Sequence, residues 1–186
     1  MYKNKGIKKY MDDLAARMPA PGGGSASALA AALGAALLSM VVNFTLGKPK
    51  YSRYEKELKD IIKKSEKARA VFLDLVDRDV AAYKSRDMCK ALSVPLDICR
   101  LCSDTISLCP ALITKGNKNL ISDVAVAAVL LESGFVSAMF NVEINLKIIN
   151  DKPLAGKLKK ELQAKKSRIK RIRLETEVKV GKIIRG

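Results

Sequence analysis

The feature that most constrains this chain is an uncharged stretch of 21 residues, Ala26 to Leu46, opened by Pro21-Gly22-Gly23-Gly24-Ser25 and closed by Gly47-Lys48-Pro49. Its length meets the threshold for crossing a bilayer. Alanine, serine, Gly34, Asn43 and Thr45 supply as much of it as leucine does, and such residues gain little from lipid. The expectation is therefore a core helix around which the remaining elements pack. Asp12, Asp13 and the Pro-Gly turn separate it from the basic N-terminal residues, which argues against a secretory leader. The three glycines carry no Cβ, so the turn before the helix can present backbone N–H groups at the positive end of the helix dipole. An anionic or electron-rich ligand is the natural guest there, although a plain turn has the same composition.

Periodicity elsewhere is helical, and no run alternates in the manner of a strand. The chain is expected to be all-α, a single-domain bundle of about six helices. A helical core domain is expected over residues 1–153, with a basic amphipathic helix of the same domain over 154–186. The predicted elements are Asn4–Arg17, a second helix capped by Ser25 and ending at Gly47, a third from Tyr51 to Cys89, and a fourth opened by Pro95 and kinked or split at Pro110. A fifth is expected from a Ser122 cap to Ile149, and a sixth after Asp151-Lys152-Pro153.

The 186 residues contain no histidine, which removes imidazole acid/base catalysis and His-ligated metals and leaves carboxylates, lysines, amides and thiols. No metal site is expected. Cys99, Cys102 and Cys109 read as apolar core thiols in a reducing, cytoplasmic setting. The net charge of +16 is concentrated in the last thirty residues, where twelve Lys or Arg stand against three Glu. That segment is a solvated basic face, a nucleic-acid or membrane-surface binder, or an attractor for a polyanionic small molecule. It has no interleaved aromatics, so nucleic acid and membrane are not the expected partners.

Two helices carry polar residues on otherwise apolar faces. On the third, the stripe Tyr54, Leu58, Ile61, Ile62, Ala68, Phe72, Leu75, Val76 continues to Asp79 and Tyr83, while Asp74 and Asp77 fall off it and are expected in solvent. A carboxylate on a core-facing stripe is either paired with a buried cation or awaiting a cationic ligand. On the fifth, Gly134, Ala138, Asn141 and Asn145 share a face that is a helix seam or one wall of a pocket. Asp123 shares the azimuth of Asn141 but lies about 27 Å away along the axis. The two can serve opposite ends of a long ligand or two sites of a symmetric dimer, but not one small ligand in one subunit.

Several blocks together resemble the formiminotransferase-cyclodeaminase C-terminal family, which includes free-standing methenyltetrahydrofolate cyclohydrolases. They are Pro21-Gly-Gly-Gly-Ser25, Thr45-Leu-Gly-Lys48, Leu75-Val-Asp-Arg-Asp79-Val-Ala-Ala-Tyr83, Ser93-Val-Pro-Leu96, Gly116-Asn117 with Ser122-Asp123, and Phe140-Asn141-Val-Glu-Ile-Asn145-Leu. They fall in the family order across roughly residues 4 to 152. The resemblance implies an all-helical homodimer acting on the one-carbon unit between N5 and N10 of a tetrahydrofolate derivative, with no metal. It implies Asp79 as catalytic base and Lys48 as a proton donor or a hold on the tetrahedral hydroxyl. Gly22, Gly23, Gly24, Ser25, Asn43, Asn117, Asp123, Asn141 and Asn145 are implied as substrate-binding, and the positive field as an attractor for a polyglutamate chain. The expected activity is hydrolysis of 5,10-methenyltetrahydrofolate to 10-formyltetrahydrofolate, preferred because no formiminotransferase domain is attached. Formimidoyltetrahydrofolate cyclodeamination is the alternative, and a non-catalytic folate- or nucleic-acid-binding protein the second. The family usually has a longer stretch than Arg86–Leu92 between its Asp-bearing helix and the Ser-Val-Pro-Leu block, which predicts a trimmed pocket wall or lid here.

Overall fold

The computed structural model describes residues 1–186 as seven α-helices joined by short 3-10 turns, with no strand. They are α1 (Ile7–Ala15), α2 (Gly23–Asn43), α3 (Glu55–Ser85), α4 (Met88–Thr105), α5 (Cys109–Lys115), α6 (Ile121–Ile149) and α7 (Lys152–Arg185). The all-α expectation holds, with the expected fourth element split in two at Pro110.

The uncharged segment is the central helix, α2. It packs most extensively on α6 and then on α3, and α4 closes the other side of α6. Both α2 and α6 are long and apolar enough to cross a membrane, with mean hydropathies of 2.0 and 1.7. Here they lie against each other. Gly34 of α2 faces Ala127 and Leu131, and Gly134 of α6 faces Ser27 and Ala31. A Cβ on Gly134 would lie 3.0 Å from both the Ala31 side chain and the Ser27 carbonyl, so glycine at the crossing allows the close approach. The seam alternative is thereby realised at Gly134. The other faces of these two helices stay uncovered: Leu33, midway along α2, is 53% exposed, and Phe140 on α6 is 67% exposed.

Several predicted boundaries differ from those observed. The first helix starts at Ile7, because Tyr2–Asn4 forms a separate 3-10 turn. Gly22, not Ser25, is the N-cap of α2, and α2 ends at Asn43, with Gly47 at φ +77 in the turn beyond. The chain passes through a 3-10 turn at Pro49–Tyr54 before α3 begins, and α3 stops at Ser85, where Arg86 turns left-handed at φ 54. Ser122 is not a cap, since α6 starts one residue earlier. Asp151 does cap α7, accepting from Leu154 N at 2.9 Å.

Pro95 does not open a helix. Asp87 does, accepting from the N–H groups of Cys89 and Lys90, which leaves Pro95 inside α4. A proline there cannot donate to the carbonyl four residues back, that of Ala91. Asn145 Nδ2 of α6 donates to that same Ala91 oxygen at 2.6 Å. A side chain from a neighbouring helix thus replaces the missing intrahelical bond.

Cys99, Cys102 and Cys109 are buried thiols, as expected, and burial pushes Cys99 and Cys109 up to about 12. Asp77, expected in solvent, is buried. Its carboxylate accepts from the backbone N–H groups of Tyr2 and Lys3, docking the N-terminal turn on α3. Tyr83, expected on the core-facing stripe, is exposed.

Candidate functional site

At the start of α2 the first three N–H groups, of Gly23, Gly24 and Ser25, have no carbonyl of a preceding turn to bond. Asp79 of α3 approaches this end, and its Oδ2 accepts from Ser25 N at 2.9 Å. The fit depends on Gly24. A Cβ there would overlap Oδ1 of Asp79 and lie 2.7 Å from its carboxyl carbon, so the carboxylate rests directly on bare backbone.

No lysine or arginine pairs with Asp79: the protein's ion pairs lie elsewhere, including Lys3 with Asp74 and Arg78 with Asp97. Of the two alternatives for a carboxylate on an apolar stripe, the ion pair is absent. The half-buried Asp79 has its pKa raised, with burial as the leading cause and the Ser25 N–H pulling partly the other way. A half-buried carboxylate resting on a helix N-terminus, basic for its type and short of a positive partner, is suited to accept a proton or to face a cation.

Asn141 of α6 stands beside the glycine turn. Its amide atoms lie 3.7 Å from where a Cβ on Gly23 would be, and its Nδ2 donates to Ser137 O at 3.0 Å, which leaves Oδ1 available. Ser25 contributes through its backbone only. Its side chain is fully buried, with Oγ sharing a 3.1 Å hydrogen bond with the hydroxyl of Tyr10 from α1. A tyrosine on the apolar side of an amphipathic helix reads as core, so the sequence carries no signal for this contact of Tyr10.

The remaining candidates lie apart from this cluster. Asn43, Lys48 and Asn117 cluster at the far end of α2, about 30 Å from Gly23 at the helical rise per residue. Lys48 and Asn43 are exposed, and Lys48 borders a small cavity of about 130 Å³ with Thr45, Gly47 and Tyr51. Asn117 is buried and serves the fold. Its N–H donates to Thr45 Oγ1 at 2.9 Å, its Nδ2 to Phe44 O at 3.1 Å, and its Oδ1 accepts from Asn119 N at 3.2 Å. Asp123, in the first turn of α6, stands near this end too. Asn145 is committed to the Ala91 carbonyl. Two larger cavities of about 490 Å³ lie between α6 and α7, and where the N-terminal turn meets α3; Asp79 lines neither. The fold therefore brings Gly22–Ser25, Asp79 and Asn141 together and holds Lys48 at a distance from them.

The sequence pattern of the formiminotransferase-cyclodeaminase family matches residues 6–88 and 85–164. The chain belongs to this family. The two matched pieces meet where α3 passes to α4 through Arg86 and Asp87, the place where a shortened segment is expected. Methenyltetrahydrofolate cyclohydrolase from Methylorubrum extorquens is 38% identical, over 88% of this chain and 89% of its own length. Formimidoyltransferase-cyclodeaminase from Rattus norvegicus is 33% identical over 78% of this chain, which spans only 31% of the rat protein. The crystal structure of formiminotetrahydrofolate cyclodeaminase from Thermotoga maritima superposes with a TM-score of 0.93 at 31% identity, covering 99% of this chain and 100% of that one. The basic α7 therefore has a family counterpart, and the short α3–α4 link removes no element relative to that structure.

Proposed function

We propose that this protein hydrolyses 5,10-methenyltetrahydrofolate to 10-formyltetrahydrofolate. The observation that carries the reading is the match to a curated cyclohydrolase along nearly the whole length of both chains. The unpaired Asp79 suits the substrate, because the methenyl bridge is a delocalised cation. Water adds to the bridging carbon as Asp79 takes its proton, giving a tetrahedral carbon between N5 and N10. The bond to N5 then breaks as N5 receives a proton, and the hydroxyl loses its own proton to solvent as the carbonyl of the formyl group forms on N10. Gly23 and Gly24 N–H groups and Asn141 are assigned to binding the folate, and Lys48 to the proton for N5.

Lys48 and Asp79 reach one carbon only if two copies share the site. We assign the uncovered faces of α2 and α6 to a homodimer, supported by the exposed Leu33, Val126, Val129, Phe140 and Ile144. A two-fold axis near Leu33 would turn one α2 antiparallel to the other, setting the partner subunit's Lys48 beside Asp79. Residues 154–186 belong to the same domain in this reading, since α7 packs on α6, α5 and α4. The positive charge of α7 favours a polyglutamylated folate, and the buried thiols favour a cytoplasmic setting.

The Thermotoga likeness favours a second reading, cyclodeamination of formimidoyltetrahydrofolate. One assay separates the two: loss of the near-ultraviolet absorbance of methenyltetrahydrofolate against ammonia release from formimidoyltetrahydrofolate. Catalysed hydrolysis without ammonia release is expected. Ammonia release alone would establish the second reading, and neither would point to a binding protein.

A further inference from the structure

The N-terminal turn and α1 reach the Asp79 cradle through a series of contacts that ends on Ser25. Asp77, two residues before Asp79, accepts from the backbone of Tyr2 and Lys3. Tyr2 donates its hydroxyl to Asp13 at 2.8 Å and stands edge-on to Tyr10, with ring centroids 5.3 Å apart at 89°. Tyr10 is 5% exposed, and its hydroxyl meets Ser25 Oγ. Ser25 N–H in turn holds Asp79 Oδ2.

We propose that Tyr10 is a positioning residue for the catalytic carboxylate: through Ser25 it fixes the first turn of α2 on which Asp79 rests. The proposal rests on the reading of Asp79 as the base. Ser25 Oγ is buried and has Tyr10 as its one hydrogen-bonding partner, so removing the Tyr10 hydroxyl leaves an orphan. Ser25 Oγ then turns toward the carboxylate, or water enters beside it. Either change stabilises the ionised form of Asp79 and makes it a weaker base. Asp77 and Arg78 are engaged with the N-terminal turn and Asp97, α2 and Asn141 present no ionisable group at the cradle, and α1 brings Tyr10 to it.

The test compares Tyr10→Phe, Ser25→Ala, their combination and Asp79→Asn in methenyltetrahydrofolate hydrolysis, with melting curves for each. Tyr10→Phe keeps the ring against Tyr2 and is expected to lower kcat about tenfold with KM little changed. Its acidic pH limb is expected to move to lower pH, and adding Tyr10→Phe to Ser25→Ala to cost nothing further. A merely structural tyrosine would move the melting temperature and leave the limb in place. Wild-type kcat with an unmoved limb, or losses that multiply in the combination, would overturn the proposal. Should Tyr10→Phe fail to fold, Ser25→Ala decides alone, and full kcat in that variant overturns it. Turnover surviving in Asp79→Asn would instead defeat the reading of the base itself, a distinguishable result.

Discussion

The two ends of α2 solve opposite problems with the same helix. At its start, bare glycine backbone and the Ser25 N–H receive a carboxylate that burial makes more basic and that no cation neutralises. At its finish, the polar groups satisfy one another: Thr45 bonds Val41 O at 2.6 Å, Asn117 bonds both Thr45 and the Phe44 carbonyl, and Lys48 stands outside in solvent. The first end holds unmet electrostatic demand and the second holds a closed network with an exposed cation beside it. A chemical step that needs a base and an acid on one carbon cannot be completed by either end alone, and about 30 Å of helix separates them.

The largest expected effect strikes the first end. Asp79→Asn should lower kcat by about a thousandfold, since it removes a general base while keeping the acceptor for Ser25 N–H. The fold should not suffer. The folded-state pKa of Asp79 is raised, so its ionisation opposes folding at neutral pH, a penalty that fades as pH falls through that raised value toward the ordinary one. A melting temperature for Asp79→Asn equal to or above that of the parent at neutral pH is expected, and a marked drop would show a structural role. Gly24→Ala should come close in effect, about a hundredfold in kcat or worse, because the added Cβ displaces the carboxylate.

At the middle of α2, Leu33→Glu should give monomers by sedimentation and lower activity at least about tenfold, as a charge placed on an apolar interface disfavours pairing. Dimers with full activity would remove the case for sharing. The smallest catalytic effect is expected at Asn145. Asn145→Leu should leave kcat within about twofold and lower stability by about 1–3 kcal/mol, because the Ala91 carbonyl that Pro95 cannot serve loses its donor. A kcat collapse without destabilisation would return Asn145 to the substrate.

The contrast between the ends also marks what the sequence made legible. Helix content, the core role of α2 and the anomaly of Asp79 followed from periodicity, which reads one helix face at a time. The family blocks brought Lys48, Asn117 and Asn145 forward with equal weight. Only packing separates an asparagine that replaces a proline's missing hydrogen bond, or ties one turn to another, from one that stands beside the glycine turn. Pro95 misled for a related reason. Its local rule favours a helix start, but Asp87 had already capped one and a neighbouring helix served the freed carbonyl. Tyr10 was hidden because its role depends on the meeting of α1, α2 and α3, far apart in sequence.

The direct test of a shared site mixes two inactive proteins. Asp79→Asn and Lys48→Met are purified separately, unfolded and refolded together, and assayed for hydrolysis. If Asp79 works with the partner subunit's Lys48, half of the randomly paired dimers carry one intact site of two, and activity should return to about a quarter of the parent's. Continued inactivity of a mixture shown to contain hybrid dimers would contradict the sharing of one carbon by the two ends of α2.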